Sequence, residues 1–362
     1  MGVVVGLLTV FTIDQTVNGR PTLLDGLRSP RGLAALSDGN VLISEVLGGR
    51  LLRMTANGDL EVIQEGLPAT LGGPGGNYPT GASAAVLFEG TYYYVVGEFR
   101  GSKYSALYQL APGAGPELLA GGTDRDGFPA TRLTNPYDLV PWPEGGFLIS
   151  DAGVNAVLHV SPKGDVSDYA TFPRREVSIA GESYSFDVVP TGLTIGPDGA
   201  AYLASFTGFP YPQNAAYVYR LEDRNNDGDA MERGEVTVFA QGLSAATDLA
   251  FEEDGALLVT EFSTNMAALL DEHGIEQAEK VPGRLVRWKD GAVDVVADGL
   301  VSPTGLAIVG GRALVSEEFA GRMREIPTPT AGGSLGWVLP VLVGVTAAAM
   351  VLLGVTRWRR RG

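Results

Sequence analysis

The sequence predicts an all-β fold: a six-bladed β-propeller closed by an N-terminal strand, with one C-terminal transmembrane helix appended. Three observations lead there. A short phrase, P-x-[G/D]-L, recurs along the chain. Each copy opens the same succession of short apolar strands and tight turns. The last copy is one strand short, while an unpartnered strand stands ahead of the first.

The phrase is clearest in Pro30-Arg31-Gly32-Leu33, Pro136-Tyr137-Asp138-Leu139, Pro190-Thr191-Gly192-Leu193 and Pro303-Thr304-Gly305-Leu306. Weaker copies are Pro79-Thr80-Gly81-Ala82 and Ala246-Thr247-Asp248-Leu249. After each comes a turn such as Ser37-Asp38-Gly39 or Pro197-Asp198-Gly199, then a second strand such as Val41–Glu45, Phe147–Asp151 or Leu257–Glu261. A third strand resembling Arg50-Leu51-Leu52-Arg53 turns through Asn57-Gly58 into a fourth, Glu61-Val62-Ile63. Gly turns between alternating strands are hairpin signals, and four antiparallel strands repeated around an axis make a propeller blade. The stretch Thr22-Leu23-Leu24-Asp25-Gly26-Leu27 has the form of the fourth strands "VIQEGL" and "VVADGL". It is therefore expected to complete blade six, closing the ring and removing two exposed strand edges.

Composition agrees. Gly supplies 50 of 362 residues without a triplet period, and apolar residues make up 45 %, which excludes collagen and disorder. With no Cys, disulfides, thiolate metal sites, iron–sulfur clusters and thiol catalysis are excluded. His159 and His273 are the only histidines, leaving little room for zinc or triad chemistry. A formal charge of −16 argues against nucleic acid, whose affinity comes from basic residues on phosphates.

The chain divides as 1–20, an apolar segment read as the remnant of a signal; 21–326, the propeller; 327–334, a Pro/Gly spacer; and 335–362, a transmembrane helix with a basic tail. Residues 335–355 carry no charge and are followed by Arg357-Trp358-Arg359-Arg360-Arg361. The run is long enough to span a bilayer. Trp337 and Trp358 stand where interfacial aromatics belong, and the arginines are expected to stay inside. The expected location is the cell membrane, single-pass, with the propeller outside the cytoplasm.

Loops entering the first strand and leaving the second share one side of the disc, the top. Several of these are long, whereas the underside turns are nearly all minimal, so binding is expected on top. An acid ends the second strand in five blades: Glu45, Glu98, Asp151, Glu261 and Glu317. Asp138 and Asp248 join them at the start of two innermost strands. Two readings stand side by side: a ring of carboxylates binding a cation or polar ligand, or acids that each accept backbone N–H groups of the neighbouring loop. The aromatic loop with Phe206, Phe209 and Tyr211 is a candidate apolar wall for a ligand or partner, or a cover for the blade edge. In blade four, Asp223, Asn225, Asp227 and Asp229 alternate around Gly228 like the first half of a calcium loop, with Glu232 nearby. Calcium is the one cofactor this pattern points to; a solvated acidic turn is the other reading.

Residues 135–166 and 189–212, including "TGFPYP" after a "VPTGL" strand, resemble the ScyD/ScyE-type extracytoplasmic propellers, which are related to NHL-repeat proteins. That resemblance implies six blades and a location outside the cytoplasmic membrane, and leaves the activity open. Gluconolactonase-type propellers use a Glu on the first strand of blade one and an Asn in an "S-N-G-L" strand start. Here those places hold Arg31 and the Thr of "PTGL", Thr191 or Thr304. Quinone-dependent sugar dehydrogenases share the blade-four loop but need a His base on top. The expected function is thus a membrane-anchored propeller that binds a small polar ligand or a protein partner through its top loops. A calcium-dependent hydrolase or lactonase is the alternative, and a quinone-dependent oxidoreductase stands behind it.

Overall fold

In the computed structural model, residues 22–72, 76–97, 105–122 and 131–328 are described. Six antiparallel blades are present, five of four strands and the second extended to five, with innermost strands Pro30–Ala35, Tyr78–Phe88, Pro136–Pro141, Pro190–Ile195, Ala246–Phe251 and Pro303–Val309. The ring closes as the sequence predicts. Thr22–Leu24 pairs antiparallel with Arg322–Pro327, with Thr22 opposite Arg324 and Leu24 opposite Met323. Apolar residues of adjacent blades interlock; Leu24 and Leu27, for example, pack with Val41 and Ile43 of blade one and Leu314 and Met323 of blade six.

The recurring phrase is a β-bulge. In five of the six innermost strands the register shifts there, as between Pro30 and Leu33, Pro136 and Asp138, and Pro303 and Leu306; in blade two it shifts just after the phrase, between Ala82 and Ala84. A bulge leaves one residue unpaired and re-aims its side chain. The second residue of the phrase thereby reaches the next blade. Thr191 Oγ1 donates to the Ala246 carbonyl at 2.9 Å, and Thr247 Oγ1 to the Pro303 carbonyl at 2.9 Å. Arg31 Nη2 donates to the Pro79 carbonyl at 2.7 Å. The third residue is small where strands crowd: a Cβ on Gly305 would lie 2.0 Å from the Arg31 carbonyl oxygen.

Two of the long top connections are hairpins rather than irregular loops. Ala69–Gly72 pairs with the start of Tyr78–Phe88, and Arg175–Ile179 pairs with Glu182–Phe186. A third contains the helical turns Met266–Ala268, Leu269–His273 and Ile275–Lys280. The chain separates into two units, Met1–Thr328 and Pro329–Gly362. The expected membrane span lies outside the described residues, among which no helix is long and apolar enough to cross a membrane.

Candidate functional site

The acids ending the second strands share one structural role in every blade where they are described. Each sits across from the first residue of the phrase, as Glu45 does from Pro30 and Glu261 from Ala246. Its carboxylate accepts the N–H of the residue two places before that phrase: Arg28 to Glu45 at 2.6 Å, Thr134 to Asp151 at 2.7 Å, Ser244 to Glu261 at 2.7 Å and Val301 to Glu317 at 2.6 Å. All four acids are fully buried. The glutamates are neutralised by arginines of the third strand: Glu45 by Arg50, Glu261 by Arg284, and Glu317 by both Arg322 and Arg324. Asp151, shorter and without an arginine, takes N–H groups from Asn135, Gly153 and Val154 instead. Burial raises its pKa and these N–H groups pull it back down. These acids pin the connection between blades. Glu98 lies outside the described residues, and Ser205 holds the same place in blade four, bonded to Tyr217.

At the upper end of the channel, Arg31 is buried and forks onto Glu318 through Nε at 3.1 Å and Nη2 at 2.7 Å. Its guanidinium lies 5.1 Å from the Tyr78 ring centre and 5.9 Å from that of Tyr137. The Tyr137 hydroxyl is buried without a hydrogen-bond partner among the described residues, and burial pushes its pKa well up. Related aromatics sit in a cluster with the blade-five insertion: Phe206, Tyr211, Tyr78 and Phe319 pack against Phe262, Met266 and Leu269. Asn77 Nδ2 donates to Glu276 Oε2 at 2.6 Å, tying the blade-two hairpin to that insertion. Of the predicted aromatic wall, Phe206 and Tyr211 are therefore largely packing residues, while Phe209 stands 69 % exposed.

At this level the chain offers a guanidinium already paired with Glu318, and threonine hydroxyls that donate to backbone carbonyls. Calcium takes six to eight oxygen ligands, so these residues do not fit it. The histidines are elsewhere: His159 Nε2 lies 2.8 Å from the Gly145 carbonyl at an underside turn, and His273 belongs to the insertion.

The central channel itself holds a cavity of about 400 Å³, bounded by the innermost strands of all six blades. Asp138 and Asp248 line it. Asp138 accepts N–H groups from Leu139 and, across to blade four, Leu193, both at 2.8 Å. Asp248 accepts from Leu249 at 2.8 Å and, across to blade six, Leu306 at 2.6 Å. Burial pushes the Asp138 carboxyl up to about 6, and burial together with the charge of Asp138 raises Asp248 well above the carboxylate range. A raised native pKa means the folded state holds its proton longer, so this contribution to stability is full below pH ~4 and is lost as pH rises through about 6. The move of Asp138 from 3.8 to about 6 corresponds to roughly 3 kcal/mol. Chemical denaturation of the wild type and Asp138→Asn between pH 4 and 8 is expected to show the wild type losing about that much relative to the variant; parallel curves would refute it.

In the blade-four loop, carboxylates of Asp227, Asp229 and Glu232 come within 4.8 Å of one another. Asp223 is turned inward, accepting N–H groups from Asn226 and Gly228, and Asn225 bonds Asp227. Three of the five predicted ligands thus converge. The Glu232 carboxyl is raised chiefly by its hydrogen bond with Glu235.

No family model matches this chain, and no curated protein matches it. Solved structures do share its architecture. A gluconolactonase of Xanthomonas campestris superposes with a TM-score of 0.57 at 14 % identity, covering 85 % of this chain and 89 % of that one. Regucalcin of Agrobacterium tumefaciens, a calcium-binding protein, gives 0.53 at 15 % identity over 85 % and 93 %. Virginiamycin B lyase of Staphylococcus aureus gives 0.51 at 12 % identity over 84 % and 98 %. At these identities the likeness establishes the fold alone, a six-bladed β-propeller.

Proposed function

We propose that this chain is a binding propeller, displayed outside the cytoplasm from a membrane span at 335–355, that recognises a polar ligand or protein partner through its top-face loops. One observation carries the choice of binding over hydrolysis. Where a metal-assisted hydrolase needs oxygens converging on a cation with an open position, Arg31 already pairs with Glu318, and the described second-strand acids hold loop amides or arginines. Phe209, by contrast, offers an exposed aromatic on a loop anchored to the blade-five insertion, and such residues are enriched at recognition surfaces. Calcium in this reading belongs to the blade-four loop, held by Asp227, Asp229 and Glu232 as a brace between two outer strands.

The gluconolactonase-like architecture keeps the hydrolase alternative concrete and testable. Purified full-length protein incubated with calcium and a panel of aldonolactones is expected to give no turnover above buffer. Hydrolysis that a chelator abolishes would overturn the proposal in favour of a calcium-dependent lactonase.

A further inference from the structure

Every outermost strand of the ring is interrupted by a bulge against its neighbour. The register shifts between Leu51 and Leu52, Leu118 and Ala120, and Val157 and Leu158, and likewise in blades four, five and six. Bulged edges are poor templates for another strand. The top hairpin of Arg175–Ile179 with Glu182–Phe186 lacks that protection. Its register runs unbroken from Arg175 opposite Phe186 to Ile179 opposite Glu182, and it forms a two-stranded sheet of its own with no Pro. The other top hairpin is better guarded: Ala69–Gly72 follows Pro68, and its Thr70 carbonyl accepts from Thr80 Oγ1 at 3.2 Å.

The turn sets which backbone groups face outward. Ala180 and Gly181 both have positive φ, 52° and 90°, as a two-residue type I′ turn requires. Residues flanking such a turn exchange both backbone bonds, and bonded and non-bonded pairs alternate from there. Ile179 with Glu182, Val177 with Tyr184, and Arg175 with Phe186 are then the bonded pairs. The N–H and C=O groups of Glu176 and Ser178 therefore point away along one edge, and those of Ser183 and Ser185 along the other. On the second edge, Arg174 Nη2 donates to the Ser185 carbonyl at 2.7 Å. On the first, the backbone groups of Glu176 and Ser178 have no partner among the described residues.

Side chains sort by face along the same edge. Direct cross-strand partners share a face, which puts Val177, Ile179, Tyr184 and Phe186 together and Glu176 and Ser178 opposite. Phe186 is buried at the base, while Ile179 and Tyr184 are 40 % and 37 % exposed. The hairpin's cations are already committed. Arg175 lies 3.6 Å from the Tyr217 ring centre and donates to the Ala215 carbonyl, and Arg174 pairs with Asp187. Glu176 accepts the Ser183 hydroxyl at 2.9 Å, and neither it nor Glu182 is paired with a cation among the described residues.

We propose that Arg175–Ile179 receives an extended peptide segment of a partner protein as a third strand, one whose residues alternate between apolar and basic. Backbone bonds at Glu176 and Ser178 hold it, its apolar side chains extend the face of Val177 and Ile179, and its basic ones meet Glu176. Two strands alone are marginal in water, and a third gives the sheet a covered edge. A second copy of this chain is a poorer match. Antiparallel self-pairing through the outward groups sets Glu176 against Glu176 or Ser178, never against a cation. Such a partner is one form of the top-face recognition proposed above, on which this assignment rests.

Full-length protein in detergent, titrated calorimetrically with an acetylated and amidated nonapeptide of alternating valine and lysine, tests it. Saturable one-to-one binding is expected, with the valine–glutamate counterpart weaker by about tenfold or more. Hydrogen exchange is expected to slow in Arg175–Ile179 on binding. Ser178→Pro removes one outward N–H and leaves the hairpin's own bonds in place, so it is expected to weaken binding by about tenfold or more. Ile179→Lys sets a like charge beside the peptide at an exposed position, so it serves even where the proline variant loses the hairpin; a comparable loss is expected. Absence of saturable binding, equal binding of the glutamate peptide, or full binding by either variant would overturn the proposal, as would a dimer of the free protein that Ser178→Pro dissolves. Binding kept by both hairpin variants but lost in Phe209→Ala would overturn the hairpin assignment and leave the top-face reading standing. That broader reading falls instead to chelator-sensitive lactone turnover, so the two fail separately.

Discussion

Replacing Arg31 with methionine is expected to destabilise the propeller by about 3–5 kcal/mol, the range found when one partner of a buried ion pair is removed. The size follows from what would be left behind. Glu318 Oε1 accepts from Ser29 Oγ at 2.9 Å and twice from Arg31; without the guanidinium, only the serine hydroxyl remains. The Pro79 carbonyl would lose its 2.7 Å donor at the joint between blades one and two. Tyr78 and Tyr137 would lose the cation beside their rings. Methionine keeps the volume, so the effect reads charge and hydrogen bonding rather than a cavity. The double variant Arg31→Met with Glu318→Leu is expected to recover much of the loss, because removing both charges removes the desolvation penalty along with the attraction. Urea denaturation of the four proteins in a double-mutant cycle gives the coupling directly. A single-variant loss below about 1 kcal/mol, or no recovery in the double variant, would show that the pair is not the clamp described here.

Much of this architecture was legible in the sequence for a physical reason: hairpins are local, and their turns are written in adjacent residues. Ring closure was legible because the segment at 22–27 carries the same strand-then-D-G-L ending as the fourth strands it joins. The recurrence of acids at the second-strand ends was equally plain, but their engagement was not. In blades one and six the neutralising arginine follows five residues later, Glu45 to Arg50 and Glu317 to Arg322, a spacing that could have been noticed. In blade five the insertion separates Glu261 from Arg284, and the pairing shows only once the strands are aligned. The role of Thr191, Thr247 and Thr304 depends on a bulge, which falls on the recurring phrase, and on the approach of the next blade, which has no sequence signal of its own. Asp138 and Asp248 were recognised as innermost-strand acids. That they line one cavity depends on the closing of the six blades into a ring, which brings distant parts of the chain together.

Leu24→Asp is expected to open the ring. Leu24 is only 4 % exposed, and its neighbours belong to two blades that are otherwise joined only through contacts between distant parts of the chain: Ile43 and Leu52 of blade one, Leu314 and Met323 of blade six. A carboxylate there has no partner, so burying it costs more than the 2–5 kcal/mol expected for Leu24→Ala at the same place. The closing strand is short, and its register is irregular between Thr22 and Leu24, so few backbone bonds can compensate. Leu27 adds one more, its N–H donating to the Gly321 carbonyl at 2.8 Å. Loss of this segment leaves Arg322–Pro327 as a free edge and removes one side of the contact between the first and last blades. Hydrogen exchange by mass spectrometry distinguishes closure from a general loss of stability. Protection is expected to fall first in Arg322–Pro327 and Val41–Glu45, the strands flanking the seam, while Phe147–Asp151 and Ala201–Ser205, in blades three and four across the ring, respond later. Uniform loss across the ring would mean that the blades unfold as one unit and that the N-terminal strand is no more critical than any other.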